Sequence, residues 1–549
     1  MNTITPSQYQ PELPMEKFIL KEKPGGEAVP LDVLFVGGGP AGLAGAIELA
    51  KLCKKEAEAN SNFTKPEIGI LEKAQRLGDH CLSGAVINPA PLKELFPELK
   101  DSDFPFRGAV KGDRVYFMTE NKALRIPTPP TMHNSGNYVA SICELVRWLG
   151  TKAEELGVNI LTGFPGESLL VDNEKVVGVR TAAAGLDREG KPSGRYMPPT
   201  DISAQFTVLC EGTRGSLSQA YLKWQGLEPE SPQIFALGVK EIWKVKKAQD
   251  HVIHTMGWPL PKDAFGGSFF YPMAEDQVAL GIVVGLDYKE HALDTHGLLQ
   301  KLKGHPLFAE ILSGGQIMEW GAKTIPEGGY DSIPKKLYGA GVLLAGDSAG
   351  FVNVPALKGI HYAIQSGILA ARSIFQSLKT KTDQSEIYQK SVYDSVIAKD
   401  LYKVRNMRHA FKSGFYSGGF KAGLMTLTGG AFPGVGAEAK KESDAQTPRV
   451  LGDEATKYSG PLTISKVDGV FRAGNATRDD IPRHLIVGKD IPPDVATFYE
   501  HVCPAGVYER KGDQLVVNAP NCVDCKATDV VGPRWTPREG GSGPKYNQM

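Results

Sequence analysis

Two apolar runs flank a helical pattern near the start of the chain. Residues 31–36 (LDVLFV) are apolar and β-branched and end in glycines, which predicts a buried parallel strand. Residues 40–52 have helical propensity, and residues 68–71 (IGIL) predict a second buried strand with Glu72 at its end. This order of strand, glycine turn, helix and strand is the one that a Rossmann-type dinucleotide-binding unit requires.

Helical and strand periodicities alternate along the rest of the chain, which predicts a mixed α/β fold. The other predicted elements are an amphipathic helix at 138–156, strands at 171–180, 204–209 and 342–345, an antiparallel pair at 269–285 that turns near Glu275 and Asp276, and a long helix at about 357–378. Two later stretches differ from these elements. In 405–434 aromatic and apolar residues alternate with glycines, and 438–459 is polar, as in a linker.

Length and charge restrict the class of protein. A chain of 549 residues is too long for one core and predicts about two to four domains. Its 62 Lys and Arg residues balance 62 Asp and Glu residues, so the net charge gives no indication of a nucleic-acid partner. No run reaches the roughly 18–20 apolar residues of a membrane-spanning helix. A membrane would therefore be met at its surface.

The loop at 37–42 (GGGPAG) fits a dinucleotide pyrophosphate. Gly37 permits the tight turn, Gly39 lets the backbone approach the pyrophosphate, and Gly42 lets the helix pack closely on the strand. The helix N-terminus offers free N–H groups, and Glu72 would accept hydrogen bonds from ribose hydroxyls. The gap to Glu72 is longer than the usual ~20 residues, which an extended first helix absorbs. A glycine turn of purely structural role is the alternative.

A second candidate contact is Gly346-Asp347, directly after the strand predicted at 342–345. A carboxylate there can meet a ribityl hydroxyl, and the N–H groups of the next helix can lie near the pyrophosphate or the flavin. Alone, this dipeptide is a common turn. Together with the N-terminal loop it favours FAD over NAD.

Three of the seven cysteines gather near the C-terminus. Cys503 precedes a proline, and Cys522 and Cys525 form a CxxC, which is typical of iron–sulfur ligation. A zinc ribbon and metal-free buried thiols are the alternatives. Zinc takes four N or S ligands, and His501 is a cramped addition with no second CxxC nearby. A flavin beside a cluster would couple a one-electron donor to a two-electron acceptor.

The other four cysteines, Cys53, Cys81, Cys143 and Cys210, are scattered along the chain. This spacing is typical of free, buried thiols and not of a secreted disulfide framework. It predicts a reducing compartment, which also suits an iron–sulfur cluster.

Together these motifs resemble the electron transfer flavoprotein–ubiquinone oxidoreductase family over nearly the whole chain. The matching stretches are 37–42, 77–85 (LGDHCLSGA), 136–139 (GNYV), 266–269 (GGSF), 346–355 (GDSAGFVNVP), 503–509 (CPAGVYE) and 539–547 (EGGSGPKYN). The resemblance implies a Rossmann-like FAD domain of glutathione-reductase type, an inserted quinone-binding domain and a C-terminal ferredoxin-like iron–sulfur domain. It also implies an enzyme that takes electrons from reduced electron transfer flavoprotein and passes them through an iron–sulfur cluster and FAD to ubiquinone.

The resemblance further implies a division of the chain. The FAD domain would comprise 30–110, 136–225 and 325–400, the quinone-binding and membrane-contact domain 111–135 and 226–324, a membrane-surface segment and linker 401–460, and the iron–sulfur domain 461–549. Gly266 and Gly267 would lie at the quinone pocket, where missing side chains let a flat ring approach the backbone. The regions 104–130 and 405–434 would form a monotopic surface that dips into lipid. A kinked core helix is the alternative for the second region.

One position departs from the family pattern. The family carries a further cysteine three residues after the CxxC, and this chain has Thr528 there, a hard and weakly acidic ligand for iron. The cluster could be [4Fe–4S] completed by oxygen from Thr528, Asp529, Asp524 or water, it could be [3Fe–4S], His501 could ligate it, or it could be absent. We favour a cluster completed by oxygen. The flavin and quinone assignments hold in every case.

Two other functions fit part of the sequence. A soluble geranylgeranyl-reductase-like or hydroxylase-like FAD enzyme with a degenerate iron–sulfur domain leaves the three C-terminal cysteines without a role. A non-enzymatic adaptor would not need FAD. For the proton supply to a quinone, His80, His254 and His361 are candidates by side-chain chemistry alone.

The N-terminal segment bears on location. Residues 1–30 have the pattern of neither a secretory signal nor a transit peptide. This favours the cytoplasmic face of a bacterial cytoplasmic membrane, with the matrix face of the mitochondrial inner membrane as the alternative.

Overall fold

Two large β-sheets, each assembled from distant parts of the chain, organise the fold. The computed structural model describes residues 2–84, 86–274, 276–411, 415–429, 443–452 and 458–549. The six-stranded sheet has the order Asn159–Thr162, Ile68–Glu72, Val33–Val36, Phe206–Leu209, Val342–Leu344, Tyr338–Gly339. The seven-stranded sheet has the order Gln316–Pro326, Phe235–Lys244, Gln277–Gly285, Gly266–Ala274, Val252–Gly257, Asp113–Met118, Ala123–Ile126.

Smaller sheets and helices surround these two. The other sheets are Ile19–Leu20, Gly166–Asp172, Lys175–Thr181, Asp201–Ser203 and Val29–Pro30; Val86–Ile87, Tyr138–Ala140 and Phe106–Ala109; and the pairs Thr3–Ile4 with Arg449–Val450, Ala184–Leu186 with Pro192–Met197, Leu485–Ile486 with Arg534–Trp535, and Tyr508–Lys511 with Gln514–Val517. The described α-helices are Met15–Phe18, Pro40–Ala59, Ala90–Leu95, Ile142–Glu155, Ser216–Gln225, Thr295–Lys303, Pro306–Leu312, Ile360–Thr380, Glu386–Asp394, Val396–Val404, Met407–Ala410, Phe415–Leu427, Lys466–Arg472, Pro493–Val502 and Ala527–Val531.

The six-stranded sheet carries the predicted dinucleotide-binding unit. Its first five strands run parallel, and Val33–Val36 in the middle is wholly buried, which is why that run is continuously apolar. The helix predicted at 40–52 extends to Ala59 and packs against Ile360–Thr380. The contact is close: a Cβ added at Gly367 would lie 2.1 Å from the carbonyl oxygen of Ala41.

The seven-stranded sheet confirms the antiparallel pair predicted at 269–285. Gly266–Ala274 pairs with Gln277–Gly285, and Asp276 lies in the turn, while Glu275 is outside the described residues. The sheet also recruits Asp113–Met118, which runs parallel to Val252–Gly257. Residues on either side of 136–225 therefore share one sheet.

Two predicted elements differ from the structure. In place of one helix at 138–156, the strand Tyr138–Ala140 precedes the helix Ile142–Glu155. The break falls at Ser141, whose hydroxyl accepts a hydrogen bond from the Glu144 N–H (3.3 Å) and caps the helix. In place of one strand at 171–180, there is a hairpin that turns at Asn173-Glu174, with φ of 47° and 63°.

The stretch predicted at 405–434 is helical where the structure describes it. It contains Met407–Ala410 and Phe415–Leu427, and the Phe420 side chain is 71% exposed. Residues 412–414 and 430–434 lie outside the described residues. Within the described ranges, no helix is long and apolar enough to cross a membrane.

The polar stretch 438–459 is anchored where the structure describes it, at 443–452. The Arg449 side chain is 1% exposed and donates to the carbonyl oxygens of Leu286 (2.7 Å) and Asp444 (3.1 Å). The Asp444 carboxylate in turn accepts from the Phe235 N–H. This part of the predicted linker is fixed to the end of the seven-stranded sheet.

Candidate cofactor and quinone site

The glycine loop has the geometry that the sequence predicts. Gly37 has φ of 112°, and a Cβ there would lie 2.3 Å from the carbonyl oxygen of Cys210. A Cβ on Gly42 would lie 2.1 Å from the carbonyl oxygen of Gly37, so the helix packs closely on the loop. A Cβ on Gly39 would meet no protein atom within 4 Å. The space before the helix N-terminus is therefore open to a phosphate group.

Two carboxylates stand beside this loop. Glu72 accepts hydrogen bonds from the N–H groups of Gly38 (2.9 Å) and Ala74 (2.8 Å), one on each oxygen. Because a carboxylate has about four acceptor positions, Glu72 can still receive ribose hydroxyls. Asp347 follows the strand Val342–Leu344, accepts from the Thr213 hydroxyl (3.4 Å), and has its pKa raised to about 6 by burial.

A single cavity of about 1470 Å³ joins the candidate residues. Those lining it include Gly37, Gly39, Glu72, Gly346, Asp347, Gly266 and Gly267. Gly42 is absent from the lining because it faces the loop backbone. Phe420 and Leu424 of the helix Phe415–Leu427 line the same cavity. The space therefore extends from the dinucleotide loop to an exposed apolar helix.

Gly266 and Gly267 line this cavity, and the neighbouring strands leave no room for a side chain at either position. Gly266 has φ of 150°, and a Cβ there would lie 2.0 Å from the Val283 carbonyl oxygen. A Cβ on Gly267 would lie 2.4 Å from the Thr255 carbonyl oxygen. Side chains are thus excluded by the neighbouring strands themselves, and the flat backbone surface that results faces the cavity.

The three C-terminal cysteines meet at one small pocket. Cys503, Cys522, Cys525 and Thr528 all line a cavity of about 20 Å³, and none of the seven cysteines forms a disulfide. Burial raises the pKa of all three thiols, that of Cys522 to about 12. Backbone N–H groups also point at the Cys503 sulfur. Buried thiols of this kind become thiolates when a metal compensates their charge, so the donor set fits an iron–sulfur cluster.

The structure separates the candidates for the fourth ligand. Thr528 lines the pocket, whereas Asp529 and His501 do not. Asp524 does not line it either, but its carboxylate lies 3.7 Å from the Cys522 sulfur. Asp524 is held by Lys73 (2.6 Å), Arg538 and Trp535. Asp529 is held by ion pairing with Arg214 and by the backbone N–H of Trp535. Of these candidates, Thr528 is the one that shares the pocket with all three cysteines.

Two residues line both cavities, and sequence reasoning missed them. The side-chain nitrogens of Lys73 and Lys526 lie 4.8 Å and 4.3 Å from the centre of the Trp535 ring, and the indole N–H donates to Asp524 (3.0 Å). Trp535 and Lys526 each face the cysteine pocket on one side and the large cavity on the other. They form a partition between the two cavities, and no motif in the sequence indicates this.

Other outcomes concern histidines and the predicted lipid surface. His80, His254 and His361 all line the large cavity.

Phe104, at the start of the region 104–130, is buried in an aromatic cluster with Phe96 and Trp148, so it does not contribute to a surface. Leu124 in the same region is 67% exposed.

The fold and this pair of cavities define a flavoprotein oxidoreductase with an attached iron–sulfur domain. Two family models match: "ETF-QO, ubiquinone-binding" over residues 235–325, and "Electron transfer flavoprotein-ubiquinone oxidoreductase, 4Fe-4S" over residues 460–547. The chain is 37% identical to the mitochondrial electron transfer flavoprotein–ubiquinone oxidoreductase of Oryza sativa subsp. japonica over 556 residues, covering 96% of this chain and 94% of that protein. It is 36% identical to the Homo sapiens protein of the same name, covering 94% and 89%.

The chain therefore belongs to the electron transfer flavoprotein–ubiquinone oxidoreductase family. Solved structures agree on the fold. A geranylgeranyl bacteriochlorophyll reductase-like protein from Thermoplasma acidophilum has a TM-score of 0.56 at 19% identity, covering 75% of this chain and 94% of that one. A flavin-dependent brominase has a TM-score of 0.51 at 18% identity, covering 73% and 94%. The relationships to curated proteins favour the quinone oxidoreductase over the reductase-like alternative.

Proposed function

We propose that this protein accepts electrons from reduced electron transfer flavoprotein and passes them through an iron–sulfur cluster and FAD to ubiquinone. The family membership supports the donor and the acceptor. The observation that carries the proposal is the continuity of the large cavity, from the glycine loop to Gly266-Gly267 and on to the helix Phe415–Leu427. A flavin and a quinone can lie in one space, with the cysteine pocket behind the Trp535 partition.

The residues fit both cofactors. The open helix N-terminus at Gly39, with Glu72 and Asp347 on either side, would hold FAD. Cys503, Cys522 and Cys525, with Thr528, would hold the cluster. When bound, the flavin exchanges electrons singly with one carrier and in pairs with another. The protein would position these groups relative to one another.

We place the protein at a membrane surface. The exposed Phe420 on a helix that borders the cavity supports this, since a quinone with an apolar tail would enter from lipid. The bacterial cytoplasmic membrane, on its cytoplasmic face, stays a proposal. The relatives named above are mitochondrial proteins, which favours the alternative, the matrix face of the mitochondrial inner membrane.

The function is tested by mixing the purified protein with reduced electron transfer flavoprotein and a short-chain ubiquinone. We expect quinol formation, followed by absorbance, that requires the protein and the flavoprotein together. Cys503→Ser should abolish transfer from the flavoprotein while FAD stays bound, because the lesion lies beyond the Trp535 partition. Reduction of FAD by a nicotinamide nucleotide, with no response to electron transfer flavoprotein, would instead favour a soluble FAD reductase.

Tyr508→Phe should lower the midpoint potential of the cluster. The Tyr508 side chain lines the cysteine pocket, is 2% exposed, and has its hydroxyl 3.5 Å from that of Thr528. Loss of one O–H donor worth about 1 kcal/mol to the more negative, reduced cluster corresponds to roughly 40 mV. Redox titration followed by EPR measures the shift. Tyr499→Phe is the control, because Tyr499 donates to Pro6 (3.3 Å) and does not line the pocket. Equal midpoint potentials in the unaltered protein and both variants would show that the Tyr508 hydroxyl does not tune the cluster.

A further inference from the structure

A buried histidine and a buried tyrosine form a pair in the wall of the large cavity. His254 and Tyr271 lie on the neighbouring strands Val252–Gly257 and Gly266–Ala274, where His254 is opposite Phe269. The His254 Nε2 lies 2.9 Å from the Tyr271 hydroxyl, and the rings meet edge to face at 5.5 Å. The two side chains are 4% and 3% exposed, and both line the cavity together with Gly266 and Gly267.

The hydrogen bonding of this pair is incomplete. The His254 Nδ1 is buried and has no hydrogen-bond partner among the described residues. The Tyr271 hydroxyl has one recorded partner, His254, although a phenol can donate and accept at once. A buried polar atom without a partner costs about 1–3 kcal/mol. Such atoms in the wall of a cavity therefore indicate hydrogen bonding to a bound ligand.

The surrounding structure holds the pair rigidly. The Phe269 ring stacks on Tyr271 at 5.1 Å and 21°. Phe269 in turn lies over Gly281, where an added Cβ would come within 2.2 Å of its ring. Burial lowers the pKa of His254 to about 4 and raises that of Tyr271, with Lys358 and Asp113 as the charged groups that act on His254. Both side chains are therefore neutral at pH 7.

We propose that Tyr271 and His254 form a proton relay to a carbonyl oxygen of the quinone. This inference rests on the proposed function. Quinone reduction consumes two electrons, supplied by the flavoprotein donor, and two protons. As charge develops on the quinone oxygen, the Tyr271 O–H bond breaks and the new O–H bond of the quinol forms. The Nε2–H proton of His254 moves to the Tyr271 oxygen, and a proton from water enters at the free Nδ1.

The relay supplies one of the two protons, at one carbonyl oxygen, and the other carbonyl oxygen takes its proton from solvent. One proton enters at Nδ1 and one leaves on the quinol, and His254 stays neutral with its proton on the other nitrogen. The free Nδ1, otherwise an unexplained orphan, is the entry point. His80 and His361 also line the cavity, but the described residues give neither of them a tyrosine hydroxyl as hydrogen-bond partner.

The test compares two electron acceptors in the FAD- and cluster-loaded protein. Tyr271→Phe and His254→Gln should each lower kcat for a short-chain ubiquinone by about 100- to 10,000-fold, the usual range for loss of a general acid. Reduction of ferricyanide, which takes electrons without protons, should change less than about twofold. The solvent deuterium isotope effect on quinone reduction should also differ between the unaltered protein and each variant. Tyr271→Phe keeps the ring that stacks on Phe269, so the wall is preserved.

Two matched controls lie outside the cavity. Tyr288→Phe removes another buried hydroxyl, and His296→Gln another buried histidine. Among the described residues, the Tyr288 hydroxyl and the His296 Nδ1 have no hydrogen-bond partner. Neither variant should change the rate at which ubiquinone or ferricyanide is reduced. Three results would overturn the relay: an unchanged quinone kcat, a rise in KM alone, or an equal fall with both acceptors, which would place the pair at the flavin. An unaltered protein that reduces ferricyanide but no ubiquinone would instead refute the proposed function.

Discussion

Gly39→Ala should weaken FAD binding in a protein that otherwise folds normally. The backbone at Gly39 has φ of −86°, which alanine adopts freely, and the added methyl would meet no protein atom within 4 Å. The methyl would instead meet the pyrophosphate of the FAD that we propose binds here. Overpacking against a ligand costs about 1–3 kcal/mol, so FAD should bind roughly 10- to 100-fold more weakly. Flavin content after purification and titration of the apoprotein with FAD give the affinity. The free energy of unfolding of the apoprotein should change by less than about 1 kcal/mol.

Gly42→Ala is the matched comparison for this prediction. Its methyl would lie 2.1 Å from the Gly37 carbonyl oxygen, so it should destabilise the apoprotein itself. A fall in FAD affinity with an unchanged melting temperature for Gly39→Ala, against a lower melting temperature for Gly42→Ala, separates ligand approach from backbone packing. Unchanged FAD affinity in Gly39→Ala would mean that the pyrophosphate does not lie at this helix.

Much of the fold could be predicted from the sequence because the patterns that specify its strands and helices are local. The strand at Val33–Val36, the glycine turn and the following helix were predicted from a continuous apolar run and its ending. The errors arose where a polar residue changes the backbone within an otherwise regular pattern. Ser141 caps a helix in the middle of one predicted element, and Asn173-Glu174 turn a predicted strand into a hairpin.

The site was accessible in part for the same reason. Gly37, Gly39 and Glu72 belong to one strand–helix–strand unit, and a short motif contains them. The His254–Tyr271 pair and the Trp535 partition depend on which strands become neighbours, and no local pattern carries that information. Gly266 and Gly267 were predicted at the quinone pocket from resemblance. The reason that these positions exclude a side chain, the nearby carbonyl oxygens of Val283 and Thr255, comes from sheet pairing.

Thr528→Val should remove one iron from the cluster. Thr528 lines the cysteine pocket and is 8% exposed, and we propose that its hydroxyl completes the ligand set. Valine keeps the shape but offers no ligand atom. The iron content should therefore fall from about four to about three per chain, and a signal should appear in the EPR spectrum of the oxidised protein. Thr536→Val is the control, since its hydroxyl donates to the His484 carbonyl oxygen (3.0 Å) within the same domain.

Thr528→Cys should keep the cluster's irons and lower its midpoint potential. A thiolate adds negative charge inside a buried pocket, which stabilises the oxidised cluster and lowers its midpoint potential relative to the unaltered protein. If Thr528 is a ligand, valine and cysteine at this position move the cluster in different ways, one in iron count and the other in potential. Four irons and unchanged spectra in Thr528→Val would show that water, and not the threonine, completes the cluster. Three irons in the unaltered protein, rising to four in Thr528→Cys, would show that this family member works with a three-iron cluster because the fourth thiolate is missing.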